Sequence, residues 1–162
     1  MWRRFAWRRN AGRKKGAKGM KTVEEMECLF PRTLDEALQF MSDGKKRGKP
    51  LAGGTDLMVQ WASGVGGRPD RVMSLLGVEA LKDICESAGG VDIGANVTHA
   101  AIRASACVRQ HLPGLAAAAA TVGGAQIQAR GTIAGNVANA SPAGDLAPAL
   151  LVTGGFVVAA ST

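Results

Sequence analysis

Two segments of the chain carry residues that could do chemistry: LAGGTDLM, Leu51 to Met58, and TIAGNVANASPAGD, Thr132 to Asp145. Each sets glycines among short polar side chains, and neither contains a lysine or an arginine. Glycines let main chain approach a ligand closely. Turn residues can direct several backbone N–H groups at one point and so form a concavity for an anion. Hydrogen bonds to a charged acceptor are worth about 1.5–3 kcal/mol each, so a few from each segment suffice for a pyrophosphate with only Arg130 nearby as a base. Thr55, Thr132, Asn136, Asn139 and Ser141 then offer short arms for phosphate, ribityl or ribose oxygens. Asp56 and Asp145 would repel an adjacent phosphate, so they suit sugar hydroxyls or the N–H groups of a helix start. Ordinary turns and caps are the alternative reading of either segment alone.

Other chemistries find little support. No GK[ST] follows the glycines and no G-x-G-x-x-G occurs, which disfavours a Walker A loop and a hydride-transferring Rossmann domain. No Ser-His-Asp, Cys-His or paired-carboxylate set stands out, so no catalytic residue is assigned and redox chemistry must come from a bound cofactor. Cys28, Cys85 and Cys107 are far apart, with no CxxC and only His99 and His111 beside them. No metal site is predicted, and the cysteines read as free thiols of a reducing compartment. Both histidines read as helix-surface or capping residues.

The elements that must position the two segments are short. TLDEALQFM, Thr33 to Met41, has a capping threonine, Glu36 three residues on, and apolar residues on one face, which predicts a helix. A strand at Pro50 and Leu51 then runs into the first glycine segment. RVMSL and VDIGA, from Arg71 and Val91, read as strands, with a turn and connecting segment between them. Thr98 can cap a predicted helix over THAAIRASACVRQHL, with Ala100, Ala101, Ala104 and Val108 at helical spacing. LPGLAAAAATVGG is a second helix, ended by Gly123 and Gly124. Asp145 caps a last one, LAPALLV, with Pro148 in its first turn. FVVAA, Phe156 to Ala160, reads as the start of a strand.

The charge is local. The chain of 162 residues carries a formal +7, but residues 1–21 hold nine Lys/Arg and no acid, while the rest is near neutral. The basic segment reads as a disordered extension ahead of Met20 rather than a surface for nucleic-acid phosphates or an anionic membrane. It has neither the apolar run nor the cleavage site of a secretory leader, and no membrane span is predicted; a cytoplasmic location is expected.

Taken in order, FPRTLDEAL, PLAGGTDLMVQ, VDIGANVTHAAI, LPGLAAAAATVGGAQIQARGTIAGN and VANASPAGDLAPALL resemble the FAD-binding (medium) subunit or domain of the molybdenum hydroxylase family, which includes xanthine dehydrogenase and aerobic carbon monoxide dehydrogenase. The resemblance implies an α+β fold of two FAD-binding subdomains, truncated at the C-terminus. Residues 22–79 would form the first and residues 80–162 the second, after the tail at 1–21. It implies that Leu51, Ala52, Gly53, Gly54, Thr55 and Asp56, with Thr132, Ile133, Ala134, Gly135 and Asn136, wrap FAD, joined by Asn139, Ser141 and Asp145. Ala134 stands where the family often has a second glycine. The implied function is electron relay from iron–sulfur clusters on a partner subunit, through FAD, to NAD or another acceptor. The substrate would be oxidised on a molybdopterin-containing large subunit. The competing reading is a truncated docking module, or a phosphate- or nucleic-acid-binding module, without catalytic activity.

Overall fold

A computed structural model gives the fold, with residues 26–42, 48–65, 67 and 69–161 described. The basic segment at 1–21 lies outside the described residues. The first half is a parallel three-stranded sheet of β1 (Glu27–Leu29), β2 (Gly48–Leu51) and β3 (Arg71–Ser74), in the order β1-β3-β2. Helix α1 (Leu34–Ser42) follows β1 in the chain, and α2 (Thr55–Ala62) follows β2. The central strand is the most enclosed, with Arg71, Val72 and Met73 all buried. Met73 packs with Ala37 and Phe40 of α1, and Leu29 and Leu75 close the cluster. Buried Arg71 is matched by Glu27 at 3.3 Å and lies over the Phe40 ring at 4.4 Å. The predicted cap of α1 forms: the Glu36 N–H donates to Thr33 Oγ1 at 3.2 Å. The returning carboxylate accepts from Arg32 N–H, one residue earlier than a standard capping box.

Two 3-10 turns, Leu75–Gly77 and Glu79–Leu81, lead into an antiparallel hairpin of β4 (Ile84–Ser87) and β5 (Gly90–Ile93). Strand β4 lies in the stretch expected to be a turn and connection. Its sequence, ICES, is too short and too polar to show a strand's alternation.

Six helices follow: α3 (His99–Ala104), α4 (Ala106–His111), α5 (Pro113–Thr121), α6 (Ala125–Arg130), α7 (Ile133–Asn139) and α8 (Leu146–Val152). They enclose Val97, Ile102, Val108, Leu115, Ala119, Ile133 and Leu146 in a second core. The single helix expected from Thr98 is two. Ser105 adopts an extended conformation and its hydroxyl accepts from Val108 N–H at 3.3 Å, so it ends α3 and caps α4. The break rotates the inward face: His99 and Ile102 are buried, whereas Ala101 and Ala104 are exposed. The alanine helix α5 forms as predicted, with Pro113 in its first turn. The expected strand at Phe156–Ala160 does not form: these residues have no regular structure and are exposed, with no strand paired to them among the described residues. A parallel sheet unit followed by a hairpin and a helical body is the expected α+β class.

Candidate cofactor site

The first segment starts where β2 ends. Leu51 closes the strand, Ala52 and Gly53 bend the chain, and Gly54 takes a left-handed conformation (φ 77°) as the residue before α2. That φ suits glycine. Gly54 C=O accepts from Met58 N–H at 3.0 Å, so α2 is properly begun. The N–H groups of Gly53, Gly54, Thr55 and Asp56 donate to no acceptor among the described residues. Four adjacent amides thus stand free at the positive end of an eight-residue helix. Asp56, in the first turn and exposed, adds a carboxylate beside them.

The second segment is not the loop its composition suggested. Thr132 is extended and buried, and its hydroxyl accepts from Gly135 N–H at 3.1 Å, which makes it the cap of α7. Ile133 N–H donates to Val97 C=O at 2.9 Å and Ala134 N–H to Ala95 C=O at 3.3 Å. Asn136 N–H donates to Thr132 C=O at 3.0 Å. The amides of Ile133 to Asn136 are therefore engaged inside the protein, whereas those of Ser141 and Asp145 donate to no acceptor among the described residues. Asn136 Oδ1 is buried without a hydrogen-bond partner. Ala134 sits within a helix, a conformation that needs no glycine. Asn139 Oδ1 accepts from Gln60 Nε2 at 3.2 Å, tying α7 to α2.

After α7, Ser141 closes a turn, accepting from Ala143 N–H on its hydroxyl and from Gly144 N–H on its carbonyl. Asp145 takes the position before α8, but its side chain makes no capping hydrogen bond there. It is an exposed carboxylate rather than the expected cap.

The two segments meet. A β-carbon on Gly53 would fall inside the contact distance of the Arg130 carbonyl and 2.9 Å from Gly131 Cα. Only a glycine lets the first segment lie so close to the chain entering the second. The His99 ring lies against Gly131, where an added β-carbon would meet Cδ2 at 2.9 Å and Nε2 at 3.0 Å. His99 N–H also donates to Gly131 C=O at 3.1 Å. Burial lowers the His99 pKa below its ordinary value, opposed by the carboxylates of Asp145 and Asp56. One imidazole thus feels an acid from each segment.

His99 was expected at a helix surface or cap; it is 2% exposed, with Nδ1 unpartnered. The signal that could have placed it is its spacing of three from Ile102, which shares its buried face.

The arrangement suits a dinucleotide diphosphate. Amides without a protein acceptor are the kind of donor an anion needs, the flush packing leaves no bulk at the seam, and Asn136 Oδ1 is buried without a partner. Amides without an acceptor among the described residues lie on both segments, at Gly53 to Asp56 on the first and at Ser141 and Asp145 on the second.

Residues 24–162 match the family described as the FAD binding domain in molybdopterin dehydrogenase. The chain is 35% identical over 129 residues to the 6-hydroxypseudooxynicotine dehydrogenase complex subunit alpha of Paenarthrobacter nicotinovorans, covering 80% of this chain and 43% of that protein. It is 31% identical to the glyceraldehyde dehydrogenase medium chain of Sulfolobus acidocaldarius, covering 85% and 48%. Its fold superposes on carbon monoxide dehydrogenase from Hydrogenophaga pseudoflava with a TM-score of 0.69 at 29% identity, covering 73% of this chain and 41% of that one. The chain thus spans less than half the length of these relatives. No helix among the described residues is long and apolar enough to cross a membrane. With the family match spanning the sheet, the hairpin and the helical body, the chain belongs to the FAD-binding domain family of the molybdopterin dehydrogenases.

Proposed function

We propose that the chain holds FAD at the seam between Leu51–Asp56 and Thr132–Asp145 and serves as the electron-transfer flavoprotein subunit of a molybdenum-containing dehydrogenase. The observation that carries this reading is the packing of Gly53 on Arg130 and Gly131 beside four free amides. In this reading the Gly53–Asp56 amides bind the diphosphate, aided by the helix dipole of α2. Four charge-assisted hydrogen bonds at about 1.5–3 kcal/mol each replace a lysine.

Thr55 and Asn136 reach the phosphate or ribityl oxygens, and Asn139 and Ser141 border them. Asp56 and Asp145 accept from sugar hydroxyls, since both would repel phosphate. Leu51, Ala52, Ile133, Ala134 and Gly135 keep the walls small, and Thr132 fixes the entry to α7. Bound FAD supplies the capacity to take up and release electrons; the chain's own residues bind and orient it.

The relatives' names support a multi-subunit setting: one is a complex subunit alpha and another a medium chain. An iron–sulfur subunit as electron donor, a molybdopterin-containing large subunit, and NAD or another acceptor complete the relay we infer. Two subdomains dividing near residue 79 are supported by two separate hydrophobic clusters. A cytoplasmic location is supported by three cysteines that stay free.

The test is nucleotide selectivity. After incubation and gel filtration, the purified chain should retain FAD and not FMN, because only FAD carries the diphosphate that the amides recognise. Retention of neither, or of both alike, would overturn the assignment.

A further inference from the structure

On a different face, the fold gathers three metal-ligating side chains that the sequence keeps apart. Glu86 lies in β4, and Cys107 and His111 lie one turn apart on α4, so both point from the same helix face. One ligand atom from each lies within 4.8 Å of the other two, and Glu86 Oε1 is 3.3 Å from His111 Nε2. Side chains alternate along a strand, so Glu86 shares the face of Ile84, which packs on the helical core. Cys85, between them, points to the opposite face and is exposed.

We propose that Glu86, Cys107 and His111 form a zinc-binding site that clamps the β4–β5 hairpin to α4. A thiolate, an imidazole and a carboxylate are a donor set for a borderline-soft divalent cation, and three protein ligands leave a fourth tetrahedral position for water. With Zn–S about 2.3 Å and Zn–N or Zn–O about 2.0–2.2 Å, ligand atoms on one ion stand about 3.4–3.6 Å apart. The Glu86–His111 pair already meets this spacing, and Cys107 needs a shift of about 1 Å, within the reach of a side-chain adjustment.

The clamp has something to hold. A two-stranded hairpin is marginal alone, and the chain leaving β5 carries Ala95 and Val97, whose carbonyls receive the amides that begin α7. Metal at the hairpin would therefore steady the entry to the second segment of the candidate cofactor site. The absence of CxxC spacing hid the set from the sequence, because its third member comes from a strand the sequence did not show.

The test is metal titration of the untagged full chain under reducing conditions, with zinc competed by a chromogenic chelator and cobalt followed by absorbance. The proposal expects one zinc per chain and a near-ultraviolet thiolate-to-cobalt charge-transfer band. Cys107→Ser should remove the band, and Cys107→Ser and His111→Gln should each weaken zinc by at least about tenfold, since loss of an outer-shell partner alone costs 10–100-fold. Cys85→Ser should change neither. All these side chains are exposed or half-buried, and far-ultraviolet circular dichroism of the metal-free variants would check that they fold. Absence of stoichiometric zinc on the wild-type chain would overturn the site. A cobalt band that survives Cys107→Ser and disappears in Cys85→Ser or Cys28→Ser would do the same.

Discussion

The carbonyl of Arg130 occupies the space that a side chain at Gly53 would need, and it is this contact that joins two segments separated by almost eighty residues. The sequence explains it locally at both ends. At the first segment, β2 stops and the chain bends into α2 through a left-handed Gly54. At the second, α6 ends at Arg130 and the chain extends through Gly131 to Thr132. Between them, His99 lies against Gly131 and feels both Asp145 and Asp56. On the proposed reading, binding at this seam would rest on backbone shape and on a few buried polar atoms.

Asn136 separates binding from folding. Its Oδ1 is buried with no hydrogen-bond partner, so Asn136→Leu removes no protein hydrogen bond and should leave stability unchanged or raised. Affinity for FAD should fall about tenfold, corresponding to loss of one hydrogen bond of about 1.4 kcal/mol. Urea melts and FAD titration of the same variant would show both; a large stability loss with unchanged affinity would contradict the assigned role.

His99 should impose a pH dependence on stability. Its pKa is lowered in the folded chain by burial, so the unfolded chain takes up the proton first as the solution is acidified. The His99 contribution is complete above its unfolded value of about 6.5 and is lost as pH falls from there through the folded value. His99→Gln should flatten the urea-midpoint profile in that window. The Asp145→Asn variant, with a raising influence removed, should push the His99 titration lower still by NMR; an upward move would refute this electrostatic account.

Thr132 carries the cap of α7. Thr132→Ala should cost about 0.5–2 kcal/mol of stability, whereas Thr132→Ser, which keeps the hydroxyl, should recover most of it. Chemical denaturation of the pair decides the point, and equal losses would mean that the methyl group, not the cap, matters.

Much of this was legible in the chain itself. The cap of α1, the strand before the first glycines and the alanine helix follow from local propensity, which acts over a few residues. Strand β4 was hidden because ICES is too short and too polar to show alternation, and the break at Ser105 because one serine in an apolar-periodic stretch reads as helix until its hydroxyl is seen to cap α4. Composition singled out both segments of the candidate site but not which of their amides the fold engages. Glycine and asparagine in TIAGN suit a loop equally well, and only the acceptors at Ala95 and Val97 show that the amides of Ala134 and Ile133 are already engaged. The burial of His99 was legible only in its spacing of three from Ile102, and the Glu86–Cys107–His111 group not at all, because its members meet only when the hairpin packs on α4.

The most direct measurement is FAD affinity of the wild-type chain beside Gly53→Ala, read by flavin fluorescence and by the thermal midpoint with and without FAD. The account predicts saturable binding of one FAD per wild-type chain, with a midpoint that rises as FAD is added. In Gly53→Ala the added methyl must push the first segment away from Arg130, so affinity should drop at least about a hundredfold, or about 2.7 kcal/mol, while the chain remains folded. Equal affinity in the two proteins, or no binding by the wild type, would contradict it.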